Sequence, residues 1–228
     1  MTLARRRVLK FAMASTALAT LSACGAGNMG GMASGMMGGG GGKSWSEIAK
    51  SFENLMNQAV DGVGETLESI AMLLEALDDK RTAAVLRGEA KSIESGGTSV
   101  STAQLDEKVN VTEDGLGRVR EKMAQAQSFN AEEKKKISEA MANYAPAAIK
   151  VGLAAIDAGL AIKDASEAGT PTPADGMQII GLAKDIPTKG PAIIKFAKLS
   201  IQGYKDLKAI AKEADIAVPD NDEMPSIA

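Results

Sequence analysis

Cys24 carries the only thiol in a chain of 228 residues that has no histidine. A lone cysteine can serve as a nucleophile when ionised, ligate a soft metal, or accept an acyl group. The lack of histidine removes the commonest general base near neutral pH and the commonest transition-metal ligand. Catalysis would then fall to carboxylates, lysines and hydroxyls, and these are not arranged for it. Asp78 and Asp79 form the one conspicuous carboxylate pair, but neighbours on a helix point in different directions, so they read as a cap or turn. Neither a Gly-rich phosphate loop between strand and helix nor a Gly-x-Ser-x-Gly elbow occurs. The expectation is a protein that is not an enzyme, with no catalytic residues, no cofactor and no metal site.

The residues before Cys24 assign its chemistry. Arg5, Arg6, Arg7 and Lys10 make a basic start, and the apolar stretch 11–21 is too short to span a bilayer as a helix, which is the layout of a cleaved secretory signal. Leu21, Ser22, Ala23 and Cys24 resemble the lipobox of bacterial lipoproteins. That resemblance implies that a signal peptidase recognises Leu21, Ser22 and Ala23 and cuts before Cys24. The Cys24 thiol is diacylated and its new amine acylated with a fatty acid such as palmitate. Each buried methylene contributes about 0.8 kcal/mol, so two or three acyl chains hold a protein on a membrane far more firmly than one. Residues 4–10 resemble the twin-arginine export motif, with Arg5 and Arg6 as the pair, although Ala4 and Val8 depart from its usual residues. Twin-arginine and general secretory export both stay open. In lipoproteins of diderm bacteria an aspartate after the cysteine commonly signals inner-membrane retention. Gly25 stands there instead, which implies the outer membrane, facing the periplasm.

Cleavage removes four of the 26 Lys and Arg and none of the 29 Asp and Glu, leaving 22 against 29 and a net charge of -7. An acidic chain with 3% aromatic residues offers neither the basic patch nor the stacking platforms that nucleic acid requires. Residues 25–42 are mostly glycine and carry no charge. As a flexible coil, this stretch of eighteen residues has an r.m.s. span of about 25 Å. It reads as a tether. Met29, Met32, Met36 and Met37 within it resemble methionine-rich copper tracts, and thioethers favour Cu(I). A low-complexity spacer is the competing reading.

From Ser44 onward the apolar residues follow a helical period. Ser44-Trp45-Ser46-Glu47 matches a capping box, and Trp45, Ile48, Phe52, Leu55, Ala59, Val63, Leu67, Ile70 and Leu74 draw one stripe, with a bend expected at Gly62 and Gly64. A second helix through Ala83, Val85, Leu86 and Ile93 should stop at Gly96-Gly97. A third is expected over about 102–127, and Asn130 with Glu133 should open a fourth that Pro146 ends or kinks. Lys134, Lys135 and Lys136 read as a solvated face. In the stretch 151–162, Gly152, Ala155 and Gly159 form a small-residue face beside Leu153, Ile156 and Leu160, which would permit close helix approach, and the stretch reads as a buried central helix. Thr172-Pro173 should start another helix, Ile186-Pro187 to Pro191 should interrupt it, and a last helix carries Ile193 to Ile210.

These elements give an all-α fold: a single antiparallel bundle of about six to seven helices. The expected divisions are a cleaved signal at 1–23, an acylated Cys24 with its linker at 24–43, a helical domain at 44–217, and a disordered acidic tail at 218–228. The combination reads as an envelope lipoprotein that partners the membrane through Cys24 and scaffolds another envelope protein. Two alternatives accompany it. One is a carrier holding a small apolar ligand between the helices at 151–162 and 193–211, and the other is a membrane-inserting helical protein.

Overall fold

The computed structural model describes residues 43–126, 128–218 and 224–227. Five long helices follow one another: α1 (Trp45–Ala76), α2 (Lys80–Gly96), α3 (Thr102–Gln125), α4 (Ala131–Ala168) and α5 (Met177–Glu213). Short 3-10 turns lie at Gly97–Ser99 and Pro173–Asp175, and no strand occurs among the described residues. The all-α class holds.

Local chemistry starts these helices where the sequence indicated. Ser44, Ser101 and Asn130 each accept a backbone N–H of the first turn, while Glu47, Gln104 and Glu133 reach back to the cap, completing three capping boxes. Asp79 caps α2 by accepting the Thr82 N–H at 3.2 Å, and Asp78 turns the chain just before it with φ 59°. The carboxylate pair is thus a turn and a cap. α2 ends at Gly96, with Gly97 in the left-handed region at φ 49°.

The expected breaks at proline do not occur. α4 runs through Pro146, and α5 runs through both Pro187 and Pro191, so six to seven helices become five. A proline inside a helix costs about 3 kcal/mol or more. All three prolines stand on exposed positions, whereas Tyr144, Ala145, Ala147, Ala148 and Val151 around Pro146 are fully buried. Ile186, Ile193 and Phe196 do the same service in α5. Each large apolar side chain taken out of water contributes about 1.5–3 kcal/mol, so two of them offset one proline. The Thr188 hydroxyl helps by donating to the carbonyls of Lys184 and Asp185 at 3.2 and 3.0 Å.

α1 is the hub, touching all four other helices. Pairs across the seams fix direction. Residue 62 meets 151 and residue 72 meets 143 between α1 and α4; residue 53 meets 178 and residue 66 meets 200 between α1 and α5. Residue 64 meets 94 and residue 75 meets 87 between α1 and α2, and residue 116 meets 203 and residue 120 meets 206 between α3 and α5, so α1, α3 and α5 run one way and α2 and α4 the other. The expected antiparallel bundle is corrected accordingly: chain neighbours are antiparallel, but α5 packs parallel to α1 and α3. Phe52, Leu67, Ile70, Leu74, Leu86, Leu116, Phe196 and the edge-to-face pair Tyr144 and Tyr204, 5.8 Å between ring centres, form the core.

Gly62 and Gly64, expected to mark a bend, lie inside the continuous α1 and serve packing. A Cβ on Gly62 would stand 2.5 Å from Val151 Cγ2, and one on Gly64 2.5 Å from Glu94 Oε1. The 151–162 stretch is buried on its small-residue face alone. α4 turns its small residues inward, with Gly152, Ala154, Ala155 and Ala158 buried, while Leu153 and Ile156 are 42% and 39% exposed. Gly159 is exposed as well, as is Val85 on α2. Because Pro146 does not interrupt it, α4 is long and apolar enough to cross a membrane by length and composition. Half of its most apolar window is buried within the domain. At the C-terminus, disorder was expected over 218–228, yet Met224 and Ile227 pack against the core and Pro225 lies over Gly152.

Glycines at opposite ends of this packing scale give opposite outcomes on thermal or urea denaturation. Gly62→Ala should destabilise the domain by about 1–3 kcal/mol through the forced separation of α1 and α4. Gly88→Ala, where nothing lies within 4 Å, should stabilise it by about 0.5–1 kcal/mol.

Candidate functional site

At one end of the bundle the start of α1, the last turns of α4 and the first turns of α5 leave an apolar cleft of about 410 Å³. Trp45, the first residue of α1, forms one wall, and its placement follows from the capping box that fixes the helix start. Ile162 and Ala165 of α4 form a second wall, and Ile180, Ala183, Ile186 and Pro187 of α5 a third. Between them runs the bend Gly169-Thr170-Pro171, made possible by Gly169 at φ 74°, where a side chain would be strained. The Thr172–Asp175 capping turn and Gly176, at φ 91°, then aim the chain back into α5.

Polar ties hold the three walls together. Lys43 Nζ bonds Asp164 Oδ2 at 2.8 Å, closing the start of α1 onto α4, and Gln178 Nε2 donates to Glu53 Oε1 at 3.2 Å, closing it onto α5. Hydrogen bonds from the Ser44 backbone and hydroxyl hold the Glu47 carboxyl below its ordinary range, and the Thr172 backbone and hydroxyl do the same for Asp175. These charges belong to the frame.

Two residues of the lining carry donors without a protein partner. Trp45 is 8% exposed, and its indole N–H has no hydrogen-bond partner. Lys184 stands at the rim beside Ser166 and Thr170, and no carboxylate or thiol belongs to the lining. Such a lining suits an apolar molecule, and it brings together no nucleophile with an adjacent base.

A second cleft, of about 500 Å³, lies between Glu68, Glu75, Arg87, Lys80 and Lys136. It is neutralised from within. Arg87 reaches Glu68 at 2.9 Å and Glu75 at 2.6 Å, which raises the guanidinium pKa further and lowers that of Glu75; Lys136 is taken by Glu132 at 2.7 Å. With its charges already partnered, this cleft has less to offer a ligand than the Trp45 cleft.

The lysine run is a solvated face: Lys134 meets Asp215, Lys135 meets Glu139 and Lys136 meets Glu132. The seam expected to hold a ligand, between 151–162 and 193–211, is closed. Ala155, Ala158, Ile193 and Ala197 are buried there, and a Cβ on Gly152 would approach Ile201 to 3.1 Å. Arg5, Arg6, Leu21, Ser22, Ala23, Cys24 and the four tether methionines lie outside the described residues. Lys184, Ile186 and Pro187 were missed as site residues because the two prolines were read as a break. Their signal was the apolar spacing of Ile180, Ala183 and Ile186, which continues into Pro187. No protein family, no curated protein and no solved structure matches the chain.

Asp157, on α4 within its apolar stretch, gives a test by pH. Burial raises its carboxyl pKa, while Lys43 pulls it the other way. Its folded pKa exceeds its unfolded one, so the native state loses stability as pH rises between the two values and carries the full penalty above them. Asp157→Asn should therefore raise the melting temperature at neutral pH, with the gain vanishing below the ordinary aspartate pKa. An equal gain at every pH would contradict that origin.

Proposed function

We propose that this chain is a bacterial envelope lipoprotein, exported by its signal at 1–23 and anchored through acylated Cys24. Its helical domain, carried on a glycine-rich tether, binds or scaffolds another envelope component and performs no catalysis. One observation carries the reading: the sole thiol of the chain stands directly after Leu21-Ser22-Ala23, behind a basic start and a short apolar segment. The domain's chemistry agrees. Its charged side chains are largely engaged in surface ion pairs and helix caps, features that stabilise a scaffold and perform no reaction. Gly25 after the cysteine supports the outer membrane as the destination. The pair Arg5 and Arg6 favours the twin-arginine route, which would carry the domain across already folded.

Expression in a diderm host with labelled palmitate should give a membrane-bound, labelled protein. Cys24→Ala should lose the label and leave the membrane fraction. Retention of label in that variant would end the lipoprotein reading. Arg5→Lys together with Arg6→Lys should abolish export if the twin-arginine route is used and leave it intact on the general route. Affinity isolation of the acylated chain from membranes should return a reproducible envelope protein that a nonspecific lipoprotein control does not.

A further inference from the structure

We propose that the cleft beside Trp45 binds a single-chain amphiphile with a carboxylate head, its alkyl chain against Ile162, Ile180 and Ile186 and its carboxylate on Lys184. The walls supply the first argument. They are apolar on three sides, and the volume of about 410 Å³ falls toward the lower end of small-molecule sites, which suits one alkyl chain.

Charge supplies the second. No carboxylate of the described residues pairs with Lys184, whereas the acids adjoining the lining residues in sequence are engaged elsewhere: Asp164 by Lys43 and Asp185 by Lys189, both at 2.8 Å, and Glu167 by Lys163 at 3.9 Å. An anionic head at the rim would thus meet a free ammonium and no competing negative charge from the lining. A cationic head would meet the reverse.

Trp45 supplies the third. A buried N–H without a partner is costly, and the indole donor is one of three buried side-chain atoms left so among the described residues. Trp45 forms one wall of the cleft, so the unmet donor belongs to a residue that an entering ligand would touch and could reorient. The binding site is separate from the anchor, so either reading can fail without the other.

Trp45 is the only tryptophan of the chain, so its emission reports on this cleft alone. The full chain carrying Cys24→Ser, which cannot be acylated, is titrated with laurate below its micelle concentration, with calorimetry in parallel and circular dichroism to confirm that the helices persist. Saturation at one laurate per chain is expected. Dodecyltrimethylammonium, of equal chain length, should bind at least about tenfold more weakly, and Lys184→Gln should weaken laurate by about tenfold, the scale of a charged hydrogen bond. Ala183→Leu, which fills the cleft, should abolish binding; Ser166→Leu, at the exposed rim, serves the same purpose if the first variant does not fold. The proposal is overturned by absence of saturable binding, by equal affinity for the two head groups, or by unchanged laurate affinity in the folded cleft-filling variant.

Discussion

The space that Gly62 leaves against Val151 sets how closely α1 and α4 approach, and the rest of the bundle is arranged around that contact. Small residues continue the seam along α4, where Ala148, Ala155 and Ala158 are buried. Helices that meet through glycine and alanine can pack at the short end of the 8–10 Å range of interaxial distances. Close approach lets α5 reach both partners at once, with the Tyr144 hydroxyl donating to the Ser200 carbonyl at 3.0 Å and Thr66 beside Ser200 at 3.4 Å. These buried polar groups fix the register of α5, since sliding it by a turn would leave them unpaired.

The same seam explains the long helices. Pro146, Pro187 and Pro191 each remove a backbone donor, and an isolated peptide would break at them. Here the opposite face of each proline-bearing segment is buried against α1 or a neighbour, and that burial exceeds the backbone penalty. The outcome matters for the site. Had α5 been interrupted at 186–191, Ile186 and Pro187 would not stand in one line with Ile180 and Ala183, and the cleft would lack its third wall.

How much of the fold was legible in the sequence depended on the range of the interaction. Capping boxes at Ser44 and Asn130, the Asp79 cap and the Gly96-Gly97 stop act within a few residues, so the sequence named them correctly; the box at Ser101 is equally local and was passed over. The inward face of α4 was read in part. Gly152 and Ala155 were placed on a small-residue face and are buried, but Gly159, Leu153 and Ile156 stand exposed, and the contact that orients the helix, Gly62 of α1 against Val151, joins residues almost ninety positions apart. Little of the cleft could be read either, because its walls come from residues 45, 162 and 180–187, which only tertiary packing brings together.

The sequence by itself determined the helical class, the helix starts and the chemical poverty of a chain without histidine and with one cysteine. Each of these is a matter of residue type or of contacts within one turn. Only the tertiary structure decided the helix count, the direction of packing, the exposure of Leu153 and Ile156 on α4, and the existence of a cleft with an unpartnered indole in its wall. These depend on where buried area outweighs a local backbone cost, and that balance exists only once distant segments are in contact.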